Sequence, residues 1–493
     1  MICISIAQAS RRMALVDMLN ASKQCDLVEV RLDCFEKTPD VAELLEHKPK
    51  PIIMSCRRLK DGGQFSGSEE ERLTLLRQCI VGKADYVEIE LDVADQIRRF
   101  PPAKRVITYT NLQEAPRDIA EIYGECQSKS PDVIKLVINA RTPEDAWPLL
   151  QIVARQTIPT VVVGIGKPGI MLSVLGKKIG APWTYAALEK GMEAYPGQPS
   201  VRELRDIFHY DKIEKSTRFL GVTGFGEQET AKVAAFNALL AQQKSPVRCL
   251  PLGLGSLPIF RKVMDAVKLA GVVVDAEHQE AVVSLASTLT PEAATARAVD
   301  LLLPGEQGWV GHNTTSKAIM GALESALAEK SPSEKPLQGR LLMIVGVNAV
   351  ARAVGHAARE REARIIVASH HKQAAQQLAQ ALECRFVQWE ALYSTMHDAI
   401  VVCDDERDQM KSKTATGEAG LHPGYLKAGM VVMDLTAPRP TAFLRGAKSR
   451  GCGVVYSHQL WPEQIALQAN LLTGQQPDMN LVRTSLAPFF EED

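Results

Sequence analysis

Lys135 stands in the run DVIKLVI, between Val133, Ile134, Leu136, Val137 and Ile138. An ammonium in such surroundings costs several kcal/mol unless it is paired or gives up its proton, and a neutral amine is a nucleophile toward ketones. The other reading is a lysine at a strand end that reaches water or pairs with a carboxylate. Polar residues interrupt comparable runs elsewhere: Glu29 and Arg31 in DLVEVRL, Arg57 after PIIMSC, Glu90 in DYVEIEL and Thr110 in RVITYT. Each falls late in its run, so a fold that gathers the ends of these runs makes one polar mouth containing an amine.

Eight short β-rich runs occupy the first two hundred residues, starting with ICISI and ending with PWTYAAL, and helical patterns such as EEERLTLLRQCI lie between them. Regular β/α alternation over eight strands predicts an α/β fold, a (β/α)8 TIM barrel rather than an open sheet. In a barrel the strand ends carry chemistry and the opposite rim carries stability. His47, the only histidine before residue 209, precedes the third run and is expected on that opposite rim.

A second unit begins near Thr217, with β-like runs RFLGVTGFG, VRCLPL and AGVVVD and a helical stretch at 314–330. The polar, proline-bearing SPSEKPLQG reads as a hinge. After it, RLLMIVG, AVARAVGHAARERE and ARIIVAS form the βαβ start of a nucleotide-binding fold. The expected organisation is a barrel over 1–212, a second α/β domain over 216–330, a Rossmann-like domain over 338–454, and a helical segment over 455–493 that packs back on the second half.

With 46% apolar and 23% charged residues the 493-residue chain is globular, and a net charge of -1 gives no electrostatic footprint for nucleic acid. The start MICISIAQASRR has no basic leader and no apolar run is long enough to span a bilayer, so the expectation is a cytoplasmic protein without nucleic-acid or membrane partners. Ten scattered cysteines without a CxxC pair indicate neither disulfides nor a metal site.

The segments DLVEVRLD, SCRRLKDGG, DVIKLV, VVGIGKPG and AYPGQ, in this order, resemble the type I 3-dehydroquinate dehydratases. GVTGFG, GHNTT, LLMIVGVNAVARAV and VVMDLTAPRPTAFL resemble shikimate dehydrogenase, an activity fused to the first in some organisms. The resemblance implies that Lys135 is the imine-forming lysine of a lyase that needs no cofactor. It implies that Glu29, Arg31, Arg57 and Gln198 hold a small cyclic carboxylate or ketone, and that Asp61 stands for the family's glutamate. In the second half Asn313 is the implied substrate contact, and Gly346, Asn348 and Ala349 form the implied NADP turn.

Several positions depart from the family. Thr110 stands where the family has its acid-base histidine, Ser173 where an arginine clamps the substrate carboxylate, and Ala194 where a serine precedes PGQ. A threonine hydroxyl cannot replace an imidazole titrating near neutrality. Tyr109 is a further candidate for proton transfer, and Lys167 for positive charge. Gln279 and Thr315 occupy the dehydrogenase lysine and aspartate positions, Thr230 and Lys232 its serine pair, and Asn348 and Ala349 two glycine positions. Ser369, His370 and His371 replace the residues that follow the next strand. The expectation is a dehydratase-like lyase joined to a degenerate dehydrogenase with weak or absent NADP binding. The alternatives are a ligand-binding or regulatory descendant, residual NADP-dependent shikimate dehydrogenase activity, and new chemistry at Cys56 or His278. For Lys135 itself the alternative is a packed amine paired with Asp61 or Glu90.

Overall fold

The computed structural model describes residues 1–403, 421–436 and 440–489. Residues 437–439 of the VVMDLTAPRPTAFL stretch lie outside that set. The chain divides into two compact units, one of 1–226 with 246–269 and one of 227–245 with 270–493.

The first unit holds eight parallel strands: β1 Ile2–Ile6, β2 Leu27–Arg31, β3 Ile52–Ser55, β4 Tyr86–Glu90, β5 Lys104–Asn111, β6 Val133–Asn139, β7 Thr160–Ile165 and β8 Thr184–Ala186. Their order is β7-β6-β5-β4-β3-β2-β1-β8, and β8 lies beside β1 with Ile2 opposite Thr184, the arrangement of a (β/α) barrel. Strands covered on both faces need apolar side chains on both, which is why these runs are nearly continuous in valine and isoleucine. Alternation sends Val133, Lys135 and Val137 to one face of β6 and Ile134, Leu136 and Ile138 to the other. Val133 and Val137 join Cys3, Leu27, Val161 and Trp183 in one buried cluster, so the face that carries Lys135 is the barrel interior.

Between β3 and β4 runs a helix, Glu69–Val81, opened by a capping box in which Ser68 and Glu71 satisfy each other's backbone donors. Three glutamates in its first turn suit the positive helix end, and the same turn supplies the buried Arg72. The unit also contains the parallel pair β9 Arg218–Thr223 and β10 Val247–Leu252.

The second unit contains β11 (from its second residue), β12 Thr288–Leu289, β13 Leu301–Gly305 and β14 Gly308–His312, where β11 is Leu269–Val273. β13 and β14 form an antiparallel hairpin closed by Gly305 opposite Gly308. A proline and several glycines interrupt its sequence, LLLPGEQGWVGHN, and tight pairing at the turn tolerates them. A parallel sheet follows, of β15 Leu341–Val345, β16 Arg364–Ala368, β17 Arg385–Val387, β18 Ala399–Val402, β19 Val431–Asp434 and β20 Gly453–Tyr456. Its order, β17-β16-β15-β18-β19-β20, reads 3-2-1-4-5-6, the doubly wound Rossmann arrangement. The tail helix Trp461–Thr473 packs on helices Glu227–Gln242 and Thr315–Lys330 of the same unit.

Candidate functional site

A cavity of about 270 Å³ opens among the ends of the barrel strands. Glu29, Arg57, Asp61 and Lys135 line it, together with Ser5 and an apolar wall that includes Leu112, Val163 and Tyr195. Lys135 is 2% exposed. Its Nζ donates to Glu88 Oε2 at 2.8 Å, lies 3.6 Å from Glu29 Oε1, and sits 4.2 Å above the centre of the Tyr185 ring. Arg57 Nη2 donates to Glu29 Oε1 at 2.6 Å, and Arg57 Nε lies 3.3 Å from Glu88 Oε1. Two cations and two carboxylates thus interlock at the base of the cavity.

Burial alone would raise the Glu29 carboxyl, but Arg57, Lys135 and Arg31, with a 2.7 Å hydrogen bond from Ser5 Oγ, hold it well below the usual carboxylate range. Burial works against the Arg57 cation and is outweighed by Glu29 and Glu88. Burial, then Glu29 and Glu88, push the Tyr185 phenol far up, and burial does the same to Tyr195. The cavity therefore presents the ionised Glu29 carboxylate, a guanidinium, a lysine side chain and neutral phenols.

The partner of Lys135 is not one the sequence suggests. Asp61 lines the cavity, but its carboxylate accepts from Arg58 Nε at 2.6 Å, and Arg58 also binds Asp92. Both Glu90 oxygens accept from Arg72 Nη1, at 2.9 and 2.7 Å, and burial raises the Glu90 carboxyl in spite of Arg72. Glu88 takes the amine instead. It lies two residues before Glu90 and so on the same face of β4. Strand alternation was the signal for it; weight given to the last polar residue of the run passed over it.

Arg31 and Gln198 do not line the cavity; they brace the loops that do. Arg31 makes a two-point contact with Asp33, at 2.9 and 2.6 Å, while Asp33 accepts from the backbone N–H groups of Arg57 and Gln64. Gln198 Oε1 accepts from Ala194 N at 2.6 Å and fixes the loop whose Ala194, Tyr195 and Pro196 wall the cavity. Gly197 in that loop has φ 83°, and a Cβ there would meet Gly166 O at 2.3 Å, so glycine is required. Thr110 borders a neighbouring cleft with Thr108 and Tyr109 rather than this cavity. Ser173 is buried in the helix Gly169–Ile179, its hydroxyl 3.4 Å from Gly169 O, and Lys167 is exposed. No histidine is among the residues that line the cavity.

In the second unit the polar positions serve the chain's own ends. Thr315 opens the helix Thr315–Lys330; its N–H and hydroxyl both donate to Asp300 Oδ2 at 2.6 Å, as do the N–H and hydroxyl of Thr314 at 2.7 and 3.0 Å. Asn313 Nδ2 donates to Ala298 O at 3.2 Å and its Oδ1 accepts from Ser316 N at 3.4 Å. Gln279 is buried. His278 Nδ1 lies 2.8 Å from Asp275 Oδ1. Lys232 lies 5.7 Å above the Trp461 ring, and burial lowers the pKa of its amine.

Gly346 keeps the left-handed backbone, φ 109°, that a nucleotide turn uses. Beyond it residues with side chains stand at the next two glycine positions of such a turn. Asn348 caps the helix Ala349–Glu360: its Oδ1 accepts from Ala351 N at 3.0 Å and its Nδ2 donates to Cys403 O at 2.7 Å. A helix N-terminus binds phosphate through free N–H groups, and here the Asn348 side-chain oxygen takes one of them, that of Ala351. Ala349 packs against Ala296, Ala298 and Ala353. His370 stacks on Trp389, centres 3.7 Å apart, and Ser369 Oγ accepts from His371 N at 3.0 Å.

Fold and site together define a barrel with a buried lysine at its mouth, followed in the same chain by a Rossmann-like sheet. Residues 2–215 match the family model described as type I 3-dehydroquinase. The 3-dehydroquinate dehydratase of Methanopyrus kandleri is 33% identical over 189 residues, covering 37% of this chain and 86% of that one. The chloroplastic bifunctional 3-dehydroquinate dehydratase/shikimate dehydrogenase of Arabidopsis thaliana is 24% identical over 91% of this chain and 78% of its own. A solved structure of dehydroquinate dehydratase and shikimate dehydrogenase from S. pombe aligns over 98% of both chains at 17% identity, with a TM-score of 0.45. The chain belongs to the type I 3-dehydroquinate dehydratase family, as a divergent member of its fused, shikimate-dehydrogenase-like branch.

Proposed function

We propose that the barrel is a Schiff-base lyase site in which Lys135 condenses with a small carbonyl substrate, in the manner of a 3-dehydroquinate dehydratase, and that the second unit does not act as an efficient dehydrogenase. The observation that carries this reading is the buried Lys135 Nζ, 2.8 Å from Glu88 and facing the cavity. Among the described residues Glu88 is the one carboxylate within hydrogen-bond distance of Nζ. It takes one ammonium proton as the amine adds to the carbonyl carbon; a second proton passes from the nitrogen to the alkoxide oxygen, and Glu88 then returns the first to the hydroxyl so formed. Water leaves and a protonated imine remains, its positive charge facing Glu29 and Glu88 where the ammonium charge had been.

The imine draws electrons from the adjacent carbon and eases loss of its proton. The family's histidine performs that transfer, and general acid–base catalysis of this kind contributes roughly 10²- to 10⁴-fold. With Thr110 in its place, elimination is slow relative to imine formation. In the second unit the end of the helix Ala349–Glu360 is capped by Asn348, so NADPH binds weakly if at all, and Gln279 and Thr315 offer no charged pair for hydride and proton transfer.

Trapping tests the barrel reading. Protein mixed with 3-dehydroquinate and reduced with borohydride is expected to gain an adduct on Lys135, the mass telling substrate from dehydrated product. No adduct from 3-dehydroquinate or from a neutral cyclic ketone, beside an active dehydratase that is trapped by its substrate, favours the non-catalytic binding descendant. For the second unit, a micromolar Kd for NADPH would contradict the reading.

A further inference from the structure

The charges at the base of the cavity point to a substrate class. Lys135 and Arg57 are the cations that line the cavity, and both are committed: Lys135 to Glu88 and Glu29, Arg57 to Glu29 and Glu88. Asp61, the other lining carboxylate, is held by Arg58. The positive and negative charges around the cavity therefore cancel. Most of the remaining wall is apolar, from Leu112, Val137, Val163, Ile165, Tyr195 and Pro196. The nearby Lys167 is exposed and does not line it.

An anion entering such a space loses its water and finds no uncompensated cation to replace it. A neutral carbonyl compound loses little and gains contact with the apolar wall. Imine formation changes none of this balance, because the ammonium charge becomes the iminium charge. We propose that the barrel takes a neutral, compact, ring-sized ketone or aldehyde in preference to a carboxylate-bearing one. This inference rests on the reading of Lys135 as the imine-forming amine.

The test compares borohydride trapping by the intact wild-type chain of three probes that share one ring: cyclohexanone, 4-oxocyclohexanecarboxylate and the methyl ester of that acid. Peptide masses locate the adduct, and free lysine measured alongside corrects for intrinsic carbonyl reactivity. The expected result is trapping on Lys135 at least about tenfold faster for both neutral probes than for the carboxylate, one such factor being the modest end of what an uncompensated buried charge costs. Equal or faster trapping of the carboxylate overturns the charge argument while leaving the Lys135 reading intact. Slow trapping of the ester with fast trapping of cyclohexanone also overturns it, since size would then be the discriminator. No adduct on Lys135 from any probe overturns the Lys135 reading and the inference with it.

Discussion

The barrel mouth and the Rossmann-like sheet have each kept a fold and lost residues, yet they have spent their remaining polar groups differently. In the barrel, Lys135, Glu88, Glu29 and Arg57 are paired with one another while Lys135, Glu29 and Arg57 still border an open cavity. In the second unit, Asn348 Oδ1 and Asp300 Oδ2 accept from backbone N–H groups at the starts of the chain's own helices. A carboxylate that holds an amine can release it to a substrate by moving one proton. A cap that closes a helix end can admit a phosphate only by abandoning its own hydrogen bonds, at about 1 kcal/mol each.

The comparison breaks most sharply at Lys135. Lys135→Met is expected to reduce borohydride-trapped adduct at least about 100-fold while the far-UV spectrum stays native, since the amine is the bond-forming group. Glu29→Gln leaves Arg57 and Lys135 short of one counter-charge and is expected to cost about 3 kcal/mol in denaturant unfolding at pH 7. Because the folded-state pKa of Glu29 is lowered, its contribution is full above the ordinary carboxylate value of roughly 4.3 and is lost as pH falls toward the folded value. The gap between wild type and variant should therefore close on acidification, and a gap that widened would refute the charge assignment.

Glu88→Gln removes the proton acceptor but keeps a hydrogen-bonding side chain. Trapping at pH 7 is expected to fall about tenfold, with the deficit shrinking as pH rises and hydroxide takes over the proton. An equal deficit at every pH would mark Glu88 as merely structural. Leu112→Arg, at the half-buried cavity wall, adds the cation that the site lacks; it is expected to raise trapping of 4-oxocyclohexanecarboxylate about fivefold and leave cyclohexanone within about twofold. The smallest effect is expected in the other region: Asn348→Gly frees the end of the helix Ala349–Glu360, tightening NADPH binding about threefold in a fluorescence titration at a cost of up to about 1 kcal/mol in stability.

Much of the fold was legible because parallel strands buried on both faces need runs such as DVIKLVI and PTVVVGI, and all eight barrel strands lie within or within a residue of such runs. The hairpin β13–β14 was not, because Pro304 and its glycines carry the signal of a loop whatever pairs across them. At the site, Lys135, Glu29 and Arg57 declared themselves as charges in apolar runs. Glu88 did so too, but its distinction from Glu90 depends on Arg72 reaching in from a neighbouring helix, a contact no local pattern announces. Arg31 shows the converse: its place in the motif implied a ligand contact, whereas Asp33, two residues on, holds its guanidinium.

The most direct measurement of the central claim is a peptide map of wild-type protein after borohydride trapping of cyclohexanone near neutral pH, comparing occupancy at Lys135 with that at Lys232. Lys232 is an amine whose pKa burial lowers, set over a Trp461 ring rather than against a hydrogen-bonded carboxylate at a cavity. Label concentrated on Lys135 is the result predicted. Label on Lys232 with Lys135 unmodified would contradict the account, and would mean that the paired lysine of the barrel is a structural cation while the second unit holds the reactive amine.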